Sequence, residues 1–328
     1  MAAEFEQIPE TALDWHRSAG GAALATVVET WGSAPRPVGS QLAIGADGRI
    51  AGSVSGGCVE GAVVFEAQES LADGQPRLLD YGVSDDEAFA VGLACGGRIR
   101  VLVEPVGAAL SDGMLADIVA ARAGRMALAY AVNTSTWERR LAGPDDPALG
   151  AVIAARAAAD KSGFEDDWFI GLHNPPLRMI VVGAVHIAQP LVEMADLAGY
   201  DVTLVDPREA FGSAARFPGR TISHDWPDEA LAAIGLDART AVVTLTHDPK
   251  LDDPAIETAL ASDVFYLGSL GSTRTHAKRV DRLIAKGIAE ADIARIHAPV
   301  GLGIRARSPA EIAVSIMAQI TGVLRQGV

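Results

Sequence analysis

The residues best suited to chemistry fall into a few short glycine-rich stretches. Cys58 follows Gly56 and Gly57 at the expected start of a helix, and Cys95 precedes Gly96 and Gly97 ahead of a strand. Glycine beside a thiol lets a ligand approach the backbone closely, and a helix N-terminus favours the thiolate. Two readings stay open: thiols presented to a ligand, or buried structural cysteines beside turns. Neither cysteine has a second ligand at short spacing, so neither reads as a zinc site, and there is no CxxC redox motif.

A second group follows Gly183, in Gly183-Ala-Val185-His186-Ile187-Ala188, where a helix N-terminus would offer amides to an anion and His186 could touch it. Asp206, with Arg208 behind it, suits a ribose or its 2′-phosphate. His247 and Asp248 lie after a later strand. The turn Gly268-Ser-Leu-Gly271-Ser-Thr-Arg274 opens a helix carrying Arg274, His276, Lys278 and Arg279, a combination of small residues, amides and cations that suits a phosphate. A plain solvated basic helix face is the competing reading there. No GxxxxGK[ST] loop occurs.

The elements that must position these residues can be read from periodicity. Met179–Val182 is an apolar run expected to be buried on both faces. Apolar residues then recur at helical spacing from Ile187 to Ala198, and a second strand ends at Asp206. This is a βαβ opening. Val185 stands where a dinucleotide fingerprint has its second glycine, which weakens the NAD(P) reading without weakening the fold. Further strands are expected at 221–223, 241–246, 264–267 and 295–297. Helices are expected at 228–234, 254–260, 275–285 and 309–324, an alternation that makes a parallel sheet covered on both faces. With strand order 3-2-1-4-5-6, the turns at Gly183 and Thr246–Asp248 would meet at the switch point. The fold class is therefore α/β: a C-terminal Rossmann-like doubly wound parallel sheet with a separate α+β N-terminal domain. Boundaries are expected at 1–106, 107–176 (a connecting subdomain) and 177–328.

Composition narrows the function classes. The chain has 328 residues, 49% of them hydrophobic, and a formal charge of −15. That charge argues against nucleic acid and against an anionic membrane surface. No apolar run reaches the ~18 residues of a membrane span. The first ten residues carry acids and no apolar core, so a secretory leader is not expected. Two cysteines in so long a chain fit a reducing compartment, and the expected location is the cytoplasm.

Taken together, the blocks TWGSAPRPVGSQ, GSVSGGCVEGAV, GLACGGRIRVLVEP, NPPLRMIVVGAVHIAQPL, LTHDPKLDDPAI, YLGSLGSTRTHAKRV and IHAPVGLGIRARSPAEIAVSIMAQI resemble the XdhC/CoxI family, accessory factors of molybdenum hydroxylases such as xanthine dehydrogenase. The resemblance spans residues 30–320 apart from the middle segment. It implies a maturation factor, not a turnover enzyme, that binds molybdenum cofactor, assists its sulfuration with a cysteine desulfurase and delivers it to the hydroxylase apoenzyme. It also implies a homodimer. On this reading Cys58 or Cys95 faces molybdenum or its labile sulfur. The sequence departs from the family pattern at Val185, where GAGH is usual, and at Gly301–Ala306, where GLDIGA is usual. The rival reading is an NAD(P)-dependent oxidoreductase, motivated by Asp206 and Arg208 and disfavoured by Val185.

Overall fold

The computed structural model describes residues 7–18, 20–34, 36–82 and 97–326. They form two compact units that divide between Pro175 and Pro176. Cys95 and Gly96 lie outside the described residues.

In chain order the first unit contains α1 (Ile8–Ser18), β1 (Ala22–Trp31), β2 (Gln41–Gly45), β3 (Ile50–Gly52), α2 (Glu60–Asp73), β4 (Arg77–Tyr81), β5 (Arg98–Pro105) and α3 (Asp112–Ala123). It continues with β6 (Leu128–Asn133), β7 (Arg139–Ala142), α4 (Gly150–Ala159), β8 (Gly163–Glu165) and β9 (Trp168–His173). Two antiparallel sheets result, ordered β3-β2-β1-β5-β4 and β7-β6-β9-β8. Central β1 is apolar on both faces, as a strand between two layers must be. Ala23, Ala25 and Val27 face Val59, Val63 and Ala67 around α2. Leu24 and Val28 join a core with Leu13 of α1, Ile118 of α3, and Tyr130, Val132 and Phe169 of the second sheet. The segment after residue 106 therefore shares a core with the strands before it.

The second unit runs β10 (Arg178–Val182), α5 (Ala188–Leu197), β11 (Asp201–Val205), β12 (Ile222–Ser223), α6 (Pro227–Ile234), β13 (Thr240–Thr244), α7 (Pro249–Leu260), β14 (Tyr266–Ser269), α8 (Thr273–Ala285), α9 (Glu290–Ile293), β15 (Ile296–His297) and α10 (Pro309–Gln326). Every pairing is parallel and the spatial order is β12-β11-β10-β13-β14-β15. This is the 3-2-1-4-5-6 order of a Rossmann sheet, the order under which the turns after β10 and β13 meet at the switch point. Strand alternation explains the two covered faces. Met179 and Val181 point to the layer of α5 and α10. Ile180 and Val182 point to the layer of α6, α7 and α8. Arg178, buried at the start of β10, donates to the carbonyls of Ile234 and Gly235 at the end of α6, where a cation complements the helix dipole.

Helix α7 begins five residues before its expected start at Pro254. Asp248 caps it, accepting from the Lys250 amide at 3.0 Å, and Pro249 takes the first position, where its missing N–H is no loss. Pro254 lies inside the helix, where it gives up the bond to the Lys250 carbonyl. Strand β14 runs to Ser269, so Gly268 belongs to the sheet and not to the turn.

Candidate functional site at the carboxyl edge of the parallel sheet

All six parallel strands end on one edge, and most of the residues singled out from the sequence gather there. Gly183 has φ +109° at the end of β10, and its N–H donates to the Val205 carbonyl at 2.8 Å. A Cβ at this position would lie 2.7 Å from Thr246 Cγ2. The turns after β10 and β13 are thus in contact at the switch point, and only glycine fits between them.

Asp206 is buried at the tip of β11 and its acceptor capacity is filled. Oδ1 accepts from the Arg208 amide at 3.0 Å and Arg208 Nε at 2.9 Å. Oδ2 accepts from the Ala184 amide and Arg208 Nη2, both at 2.8 Å. Burial alone would raise its pKa, but these bonds from Arg208 and Ala184 hold it below the usual carboxylate range. The acid therefore pins the glycine turn, and a ribose would have to displace one of these partners. Val185 is half-buried and packs against the core, while His186 is exposed in the turn that leads into α5.

The second cluster is a pocket of about 250 Å³ lined by His247, Pro249 and Asp252 from one side and by Arg274, Thr275, Lys278, Arg279 and Arg282 of α8 from the other. That volume suits a small anion or one end of a larger ligand, since whole organic ligands commonly occupy ~300 Å³ or more. His247 is exposed and adopts a left-handed backbone, φ +61°, at the pocket mouth. Asp248 spends its carboxylate on capping α7.

Asp252 is 1% exposed and Arg279 is 2% exposed. Asp252 Oδ1 accepts from the Thr246 hydroxyl at 2.6 Å and, more weakly, from its amide at 3.3 Å. Asp252 Oδ2 has no hydrogen-bond partner and lies 3.9 Å from Arg279 Nη2. Arg279 donates to the Leu270 carbonyl at 3.1 Å, but its Nε is buried with no partner. Burial raises the Asp252 pKa against the opposing pull of the Thr246 hydroxyl and Arg279, and burial likewise draws Arg279 down. Arg282 is instead committed to Asp253 through bonds of 2.6 and 2.8 Å.

The structure brings His247 and Arg274 into one pocket. Gly271, φ +136°, shapes the turn before α8, where Ser272 caps the helix by accepting from the Thr275 amide at 3.2 Å. Gly268 has a packing role, because a Cβ there would sit 2.6 Å from Val300 Cγ2 and 2.7 Å from Tyr266 Oη. Asp252 escaped the sequence reading because its importance comes from burial beside Arg279. The available signal was Arg279 itself, four residues before buried Leu283 on the apolar stripe of an otherwise basic helix.

In the first unit the Ser53–Glu60 loop wraps around one carboxylate. Glu60 Oε1 accepts from the Ser53 hydroxyl at 2.6 Å and from the amides of Ser55 and Val54 at 2.9 and 3.2 Å. Glu60 Oε2 accepts from the Gly57 amide at 2.8 Å and from the Ser55 hydroxyl. Burial alone would raise this pKa, but the hydroxyls of Ser53 and Ser55 and the loop amides bring it down from 4.5 to about 2. Gly56 and Gly57 have φ of +73° and +110°, and Cys58 follows them, exposed at the entry to α2. The buried-cysteine reading does not apply to Cys58. Gly97 is a packing glycine, since a Cβ there would lie 2.6 Å from the Ser33 carbonyl oxygen. Among the described residues no three His, Cys, Asp or Glu side chains gather as a metal site, and no helix is long and apolar enough to cross a membrane.

Comparison with known proteins places this geometry in a family. Residues 179–320 match the XdhC Rossmann domain, and residues 15–82 match the XdhC and CoxI family. The molybdenum cofactor insertion chaperone PaoD of Escherichia coli strain K12 is 31% identical over 93% of this chain and 84% of its own length. A Bacillus subtilis strain 168 protein, named as a probable subunit of xanthine dehydrogenase, is 29% identical over 91% of this chain and 92% of its own length. A crystal structure described as a xanthine dehydrogenase from Bacillus halodurans superposes with a TM-score of 0.76 at 25% identity, covering 98% of this chain and 96% of the other. The chain belongs to the XdhC and CoxI family.

Proposed function

We propose that this chain carries molybdenum cofactor as cargo, assists its sulfuration with a cysteine desulfurase, and delivers it to the apoenzyme of a molybdenum hydroxylase. The observation that carries the reading is the cationic pocket at the carboxyl edge of the Rossmann sheet, in a chain closely related to a protein named for molybdenum cofactor insertion. The cofactor's phosphate fits this pocket, where Arg274 and Lys278 supply charge and the partnerless Nε of Arg279 supplies a buried donor. The Gly183 turn is the weaker phosphate site, because the amides of Gly183 and Ala184 are already bonded to Val205 and Asp206.

Cys58, held outward by its loop, and Cys95 are the candidate contacts to molybdenum or its labile sulfur, for which a soft thiolate is suited. When bound, the cofactor supplies the metal centre that the hydroxylase will use. The pocket's own residues hold the phosphate. We place this activity in the cytoplasm and in a homodimer.

The test is titration of the purified protein with molybdenum cofactor, followed by pterin fluorescence, and then transfer to a hydroxylase apoenzyme. Saturable binding that weakens at least tenfold in Arg274→Ala and Lys278→Ala combined supports the reading. Absence of binding in the wild type overturns it. Unchanged binding and delivery in both Cys58→Ala and Cys95→Ala would remove the thiol assignment alone.

A further inference from the structure

The pocket on α8 holds a feature that a simple anion site would not have. Asp252 lines it, and its Oδ2 is a buried acceptor without a partner, while Oδ1 is engaged by Thr246. A carboxylate oxygen turned toward an anion repels it, unless the anion brings a proton to share. At 3.9 Å, Arg279 Nη2 is too far to neutralise that oxygen through a hydrogen bond.

We infer that Asp252 makes this pocket selective for a protonated oxyanion, so that it accepts a phosphate monoester and turns away sulfate and phosphodiesters. The P–OH of the monoester donates to Asp252 Oδ2 while the remaining phosphate oxygens take bonds from Arg279, Lys278 and Arg274. Sulfate at neutral or mildly acidic pH has no proton to give, and neither has a phosphate esterified on both sides. The raised pKa of buried Asp252 strengthens it as the acceptor of such a proton. This inference rests on the phosphate reading of the pocket and specifies which phosphate it takes.

Calorimetric titration of the full chain with inorganic phosphate, sulfate, methyl phosphate and dimethyl phosphate tests it, at a pH of about 6 where a monoester keeps much of its proton. Phosphate and methyl phosphate should bind at least about tenfold more tightly than sulfate and dimethyl phosphate, the discrimination expected of one hydrogen bond to a charged group. Asp252→Asn, which can donate where aspartate can only accept, should bring phosphate and sulfate to within about threefold of each other. Lys278→Ala should weaken both anions and leave their ratio unchanged. Equal binding of phosphate and sulfate by the wild type overturns the inference and leaves the phosphate pocket standing, as does a ratio unchanged in a folded Asp252→Asn. Failure of every oxyanion to bind the wild type overturns the phosphate pocket itself. The wild-type comparison of mono- and diester needs no variant and decides the matter if Asp252→Asn does not fold.

Discussion

Gly183 and Thr246 meet across the switch point so closely that a Cβ on the glycine would stand 2.7 Å from the threonine methyl. The glycine also sits at φ +109°. Gly183→Ala therefore combines an unfavourable backbone conformation with a clash against the neighbouring turn, and should cost about 2–3 kcal/mol. Urea unfolding of the variant beside the wild type measures this, and a loss within experimental error would show that the two turns separate easily.

Asp206 should behave as a structural acid. Its pKa lies below the ordinary 3.8 through bonds from Arg208 and Ala184. A depressed carboxylate stabilises the folded state above its unfolded pKa and loses that contribution as pH falls through the folded value. Asp206→Asn should cost about 2 kcal/mol near pH 7 and progressively less as pH falls below the ordinary carboxylate range. With this carboxylate already occupied, NAD(H) and NADP(H) should not saturate the protein below about 1 mM. Micromolar binding by fluorescence titration would count directly against that.

Glu60 offers a second pH signature. Its drop from 4.5 to about 2 makes its contribution complete above pH 4.5 and progressively lost between those values. Glu60→Gln keeps the size but loses charged acceptors, and should lower stability by about 1–3 kcal/mol. The difference between variant and wild type should shrink as pH falls from 4.5 to 2, which thermal melts across that range can follow.

Glu104, Tyr130 and Arg139 form a buried network between the two sheets of the first unit. Glu104 Oε1 accepts from Tyr130 Oη at 2.9 Å and from Arg139 Nε at 2.7 Å. Tyr130→Phe removes one neutral donor and should cost about 1 kcal/mol. Arg139→Met leaves a buried carboxylate without its cation and should cost about 3–5 kcal/mol. Equal losses for the two would mean that the charge is not held as described.

Cys58 should react with a disulfide reagent such as DTNB in the fully folded protein, because it is exposed. Cys58→Ala should abolish that labelled position in a peptide map. Protection of Cys58 by added molybdenum cofactor, but not by inorganic phosphate, is the outcome expected if this thiol contacts molybdenum or its labile sulfur.

The Rossmann half was legible because its strands are apolar on both faces and glycines follow helices α5 and α6. Residues 178–208 alone dictated the central βαβ unit. What escaped the sequence was decided by tertiary contact. Strand β9, with Gly171 inside it, and half-exposed β4 lack the pattern that marks a buried strand, and they are strands because β6 and β5 pair with them. Pro254 suggested a helix start, yet the cap formed at Asp248 instead. At the candidate site the basic helix of Arg274 and Lys278 was visible, but buried Asp252 was not. Its neighbours Asp253 and Asp248 look the same in one dimension and do ordinary work, pairing with Arg282 and capping α7.

The loop that carries Cys58 has a hereditary consequence. The hydroxyls of Ser53 and Ser55 and the amides of Val54, Ser55 and Gly57 converge on Glu60, while Ser53 and Ser55 in turn hold the amides of Gly56 and Val59, so the presentation of the thiol depends strongly on one codon that is not a cysteine's. A change in that codon to a residue without an acceptor withdraws the shared anchor while leaving the cysteine itself in place. Variants of this kind would be recognised by a thiol that is present but wrongly placed, a defect that inspection of the cysteine codons would never reveal.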